Sequence, residues 1–186
     1  MISGKDLVRY IISYKGKVRA KQLQKLAYLT ELEYMKKCGK RLSDLEFVRL
    51  LYGPYSEKIK EIQEEDDNII MTVDHDDFYT YKESQLKGRD IDIDAELKKE
   101  IDEILDKYKD KTGKELESIA DNTEPFVDCA VIGDKIDLDG FAEHYKVLLS
   151  DKLWNKALKM REENQRKGVY GKKIIKDKSE LESLFS

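Results

Sequence analysis

The amino-acid sequence predicts a mainly α fold: a single helical domain with one small β-hairpin and a basic C-terminal extension. Three observations carry that expectation. Apolar residues recur at helical spacing in six or seven segments, and only one pair of neighbouring runs is built from β-formers. Glycine and proline number 10 and 2 in 186 residues, whereas all-β chains need many turn residues. Charged and hydrophobic residues each make up 40% of the chain, a balance that suits helices with densely charged outer faces.

Leu7, Val8, Ile11 and Ile12 share one helical face behind a possible Ser3 cap, and Lys15-Gly16-Lys17 ends that helix. A second helix is expected from about Ala20 to Lys37, burying Leu23, Leu26, Ala27 and Met35 with its lysines outward, and stopping at Gly39. Ser43 or Asp44 looks like the cap of a short element carrying Leu45, Phe47 and Val48, which Gly53-Pro54 interrupts. Tyr55 to Gln63 then resumes as helix, with Pro54 near its first turn. Ile69–Val73 and Phe78–Tyr81, around a polar loop at 74–77, read as the single hairpin, and 83–93 as a charged loop. Leu97, Ile101, Ile104, Leu105 and Tyr108 mark a further helix. Thr112-Gly113-Lys114-Glu115 has the capping-box pattern of a short helix carrying Leu116, Ile119 and Ala120. Two more helices are expected, one on Phe141, Tyr145, Leu148 and Leu149, the next on Leu153, Trp154, Ala157 and Leu158. Residues 1–150 are thus expected to form the helical domain, and 151–186 a helix plus a basic extension with a short amphipathic end at Leu181–Phe185.

No run approaches the roughly 18 apolar residues of a membrane span, and the first ten residues lack a signal peptide's apolar core, so a cytoplasmic protein without membrane association is expected. The net charge of −4 hides a block pattern. Residues 1–41 hold eleven basic against three acidic residues, 42–150 hold fourteen against thirty, and 151–178 hold ten against four. Such blocks can attract an anionic partner or each other.

Reactive constellations are scarce. His75 and His144 stand far apart, and His75 among Asp74, Asp76 and Asp77 is what an exposed hairpin tip contains. Lys135–Lys146 resembles a calcium loop at Asp137, Asp139 and Gly140 but has lysine at its first and last ligand positions. Lys114 and Lys172 follow glycines outside any phosphate-cradling frame, and Cys38 and Cys129 read as packing thiols. No enzyme activity, metal or cofactor is expected. Tyr52 and Tyr55, flanking Gly53-Pro54, suit contact anchors as well as they suit packing, whereas Leu23, Leu26 and Tyr28 suit a core.

Three segments carry a resemblance: Lys21-Gln22-Leu23-Gln24-Lys25-Leu26-Ala27-Tyr28; Phe47 to Tyr55 with its Tyr52-Gly53-Pro54; and Leu116 through Thr123-Glu124-Pro125-Phe126. In order and spacing they resemble the Panacea, or SocA-like, antitoxin family, whose members are often phage-associated. Leu50 and Phe126 stand where that family commonly has tryptophan. The resemblance covers about residues 7–130. It implies an antitoxin that neutralises a protein toxin encoded by the adjacent gene through direct contact, with 151–186 as an added toxin-specific segment. Candidate contacts are Lys25, Tyr28, Tyr52, Gly53, Pro54, Tyr55, Pro125 and Phe126, with Lys172 and Lys173 in the extension. The rival reading is a winged-helix-like DNA-binding transcriptional regulator, in which Lys15, Lys17, Arg19, Lys21 and Lys25 meet phosphates. Its wing would carry Asp74, Asp76 and Asp77, which repel phosphate, so any DNA binding is expected to be weak.

Overall fold

The computed structural model describes residues 1–75, 80–87, 91 and 93–166. Helix α1 (Gly4–Lys15) starts at Ser3, whose hydroxyl accepts from the Asp6 N–H at 3.1 Å, and buries Leu7, Val8, Ile11 and Ile12. A two-residue strand, β1 (Val18–Arg19), leads into α2 (Ala20–Cys38), the central helix, which touches α1 and most of the later elements. Gly39 ends α2 in the left-handed region at φ +64°, and a side chain there would also meet the Lys146 backbone. The expectation that the lysines of α2 face outward fails at Lys25, which is only 6% exposed. Glu31 is also fully buried. Its carboxylate accepts from the Arg41 guanidinium at 2.7 Å, the Leu42 and Ser43 N–H groups at 2.9 and 3.0 Å, and the Ser43 hydroxyl at 2.8 Å, fastening the following segment to α2.

The stretch around Gly53-Pro54 is not a break between helices. Val48–Leu50 (β2) and Gly53–Tyr55 (β3) pair antiparallel as a second hairpin, and helix α3 (Glu57–Glu65) begins only after Tyr55. Pro54 is tolerated because this two-stranded sheet leaves its nitrogen without a required partner. Strands β4 (Ile69–His75) and β5 (Thr80–Leu86) form the expected hairpin, but with its return strand reaching into the segment expected as loop. Polar β5 is held from both sides: it pairs with β4 and with β1, and buried Ser84 accepts from the Gln63 amide at 2.7 Å. Tertiary pairing here outweighs composition. The hairpin connection, including Asp76 and Asp77, lies outside the described residues.

Helix α4 (Ala95–Asp106) buries Ile101, Ile104 and Leu105. Helix α5 (Gly113–Asp121) opens with the full Thr112–Glu115 capping box, and the short α6 (Glu124–Asp128) carries Pro125 in its first turn. The two expected C-terminal helices are one, α7 (Leu138–Arg166), because nothing between Ser150 and Leu153 stops a helix. Position 150 therefore falls inside α7. Its first turns bury Phe141 and Ala142, while Val147, Leu148, Leu153, Leu158 and Met160 are exposed further along. Seven helices against two small sheets make the chain mainly α among the described residues, and none of these helices is long and apolar enough to cross a membrane.

The helices α1, α2 and α3 with the sheet β1-β5-β4 have the connectivity of a winged helix, into which β2–β3 is inserted between the second and third helices. Opposed charge blocks meet within this arrangement and between it and the later helices. Arg9 forks onto Asp66 at 2.5 and 2.7 Å, Lys37 reaches Glu103 at 3.1 Å, and Arg41 reaches Asp139 at 2.9 Å.

Candidate partner-binding site

The three sequence segments of the resemblance converge on one face of α2. Gln24 grips Ser56 from both ends of its amide, donating to the carbonyl at 2.9 Å and accepting from the N–H at 2.8 Å. One residue on, the Lys25 ammonium donates to the Pro54 carbonyl at 2.9 Å. One turn further, the Tyr28 hydroxyl meets Thr123 Oγ1 at 2.8 Å. Since Thr123 gives its own proton to the Ala120 carbonyl at 2.7 Å, Tyr28 is the donor in that pair. Phe47 stands edge-on to the Tyr28 ring at 5.3 Å. Arg49 closes the unit from the hairpin side. Its guanidinium lies 4.3 Å from the Phe126 ring centre and donates to the carbonyls of Phe126 and Cys129.

Gly53 sits where these parts crowd together. Its φ is +88°, the left-handed conformation that ends the turn over Leu51 and Tyr52, and a Cβ there would lie 2.5 Å from Asp121 Oδ1 and 2.8 Å from Lys25 Nζ. Burial pulls the Lys25 amine down to about 8, against the attraction of Asp121 and Glu117, and burial likewise raises the Asp121 carboxyl. Among the described residues Asp121 Oδ1 has no hydrogen-bond partner.

Of the candidate contacts, Lys25, Tyr28, Gly53, Pro54, Pro125 and Phe126 are therefore buried parts of a clasp that fixes the β2–β3 hairpin. Tyr55 is half-buried and donates to Glu57 at 2.9 Å. Tyr52 is 66% exposed at the hairpin tip beside Leu51 at 75%. Lys172 and Lys173 lie outside the described residues. Sequence reasoning missed Gln24, Arg49, Thr123 and Asp121, all of which serve the clasp. Arg49 inside the apolar run Phe47–Leu51 was the visible signal, because a guanidinium there needs buried acceptors; Gln24 gave none.

Beside the tip, the segment 131–135 runs along β2, with Gly133 N–H donating to the Arg49 carbonyl at 2.8 Å and Arg49 N–H to Asp134 at 2.9 Å. It brings exposed Val131 and Ile132 to the same end of the molecule. Between the tip, the start of α2, α3 and the β4–β5 sheet lies a recess of about 270 Å³. Among the described residues no group of His, Cys, Asp and Glu is arranged to hold a metal ion.

The sequence model of the family described as "Antitoxin SocA-like, Panacea domain" matches residues 23–125, more than half of the chain, and the protein belongs to that family. No curated protein and no solved structure matches it.

Proposed function

We propose that the protein is the antitoxin of a toxin–antitoxin pair and neutralises the product of the adjacent gene by direct binding, acting by contact and not by catalysis. The observation that carries this reading is the β2–β3 tip, where Leu51 and Tyr52 stand exposed on a turn whose base is locked by Lys25, Gln24 and Arg49. Apolar side chains held rigidly in solvent gain contact area on binding without the ordering cost of a mobile loop. Tyrosine at such a position is a favoured anchor. Tyr55 borders the same turn, and the second half of α7, where Leu153, Leu158 and Met160 are exposed, with the basic residues that follow it, is the added toxin-specific segment. The protein works in the cytoplasm, and its phage association follows the family pattern. The test is growth of cells expressing the adjacent gene with and without this chain. Rescue by the wild type and loss of rescue by Leu51→Asp are expected; a harmless neighbour contradicts the reading.

The winged-helix connectivity favours a second reading, a DNA-binding regulator. Charge opposes it. On α3, which occupies the recognition-helix position, the exposed residues are Glu57, Lys58, Lys60, Glu61, Glu64 and Glu65, a net negative surface that repels phosphate. Weak, sequence-independent DNA binding is the most this surface supports. Retention of the protein's own promoter at physiological salt in a gel-shift assay would favour the regulator.

A further inference from the structure

The recess beside Tyr52 has a composition that the tip alone does not explain. Its walls are apolar, formed by Leu50, Tyr52, Tyr55 and Met71, and its volume of about 270 Å³ falls just below the roughly 300–1,000 Å³ of small-molecule pockets. That space suits one large side chain. Met71 adds an unbranched, polarizable wall that adapts to an aromatic occupant. Three amines rim the mouth. Lys21, Lys60 and Lys82 are exposed around it, facing the single carboxylate Glu64 among the lining residues. Lys60 is paired with Glu57 at 2.8 Å and Lys82 more loosely with Glu64 at 3.9 Å. Lys21 makes no ion pair among the described residues, and its ammonium lies 5.2 Å from the Tyr52 ring centre.

We infer that this recess receives one aromatic or large aliphatic side chain from an acidic segment of the partner protein, with the flanking carboxylates of that segment meeting Lys21 and its neighbouring amines. The inference rests on the reading of the chain as a toxin-binding protein and names the chemistry of the toxin surface it takes. Apolar walls supply the affinity, and Lys21, which has no ion pair among the described residues, favours acidic over basic segments.

The test uses the full chain and blocked pentapeptides as probes: acetyl-Glu-Asp-Trp-Asp-Glu-amide, its alanine-centred counterpart, and acetyl-Lys-Lys-Trp-Lys-Lys-amide. Titration followed by NMR should shift the Met71 methyl and Tyr52 ring signals with the acidic tryptophan peptide, and both other peptides should bind at least about tenfold more weakly. Lys21→Glu, an exposed change that leaves the fold intact, should weaken the acidic peptide by about tenfold, and Met71→Trp should occlude the recess. Equal binding of the basic peptide, insensitivity to Lys21→Glu, or no shift at millimolar peptide would overturn the inference. Growth rescue separates it from the antitoxin reading. If Lys21→Glu and Met71→Trp both rescue as well as the wild type, the recess is not the site while the antitoxin reading stands. If the acidic peptide binds as expected but the wild type rescues nothing, the recess stands and the antitoxin reading falls.

Discussion

At Gly53 two constraints meet, a left-handed backbone and the close approach of Asp121 and Lys25. Gly53→Ala is expected to cost about 1–3 kcal/mol of stability, measured by urea unfolding, because the new Cβ adds contact with both groups to the backbone strain. Lys25 makes the clasp sensitive to pH. Its amine sits at about 8 in the folded protein against an ordinary 10.5, with burial as the main cause. Between those values the unfolded chain holds a proton that the folded chain has released, so stability rises with pH; below about 8 the cost of burying the ammonium is fully present. Tyr14, Tyr28 and Tyr108 act oppositely. Burial raises each to about 12 from an ordinary 10.0, so the stability they contribute is present below 10 and is lost as pH climbs through the folded values. Unfolding midpoints should therefore rise above about pH 8 and fall beyond about pH 10, and Lys25→Met should abolish the rise. At the acid end, the Arg9 fork holds the Asp66 carboxyl well below its usual range, so its contribution is lost as pH falls below about 4. Asp66→Asn should cost about 3 kcal/mol by leaving the Arg9 guanidinium without its carboxylate.

At the scale of elements, the periodic helices were legible. Ser3, Gly39 and the Thr112–Glu115 box mark real boundaries, and the apolar stripes of α1, α2 and α4 are buried as their spacing predicts. What escaped depends on partners distant in sequence. Strand β5 is polar and forms because β1 and β4 flank it, and β2–β3 is too short for any alternation to show. Gly53-Pro54 announces a turn but not which one: the same pair can end a helix or close a hairpin, and the buried acceptors of Lys25 and Arg49 decide between them. The candidate site was legible as a set of segments, since all three converge, but not in its exposure. Buried Lys25 and Tyr28 look in sequence like any surface lysine and core-edge tyrosine. Helix α7 yields a prediction of its own. Truncation after Leu158 should leave the thermal unfolding midpoint nearly unchanged, because the described side chains beyond it are exposed, while weakening toxin neutralisation.

Across the whole molecule, about half of the basic N-terminal block is spent on the acidic middle. Lys5 and Arg9 face Asp66, Arg19 faces Glu83, Lys37 faces Glu100 and Glu103, and Arg41 faces Asp139, which reduces the positive charge left for nucleic acid. The winged-helix connectivity thus carries an acidic third helix and, beside it, a fixed apolar tip. Such a surface suits the proposed contact with a protein better than contact with phosphate. The most direct measurement is the dissociation constant between this chain and the purified product of the adjacent gene, compared between wild type and Tyr52→Ala. A stable complex is expected, which Tyr52→Ala weakens by about 1–3 kcal/mol without altering the unfolding midpoint. A neighbour that arrests growth yet never associates with this chain, or that binds Tyr52→Ala as tightly as wild type, would contradict it.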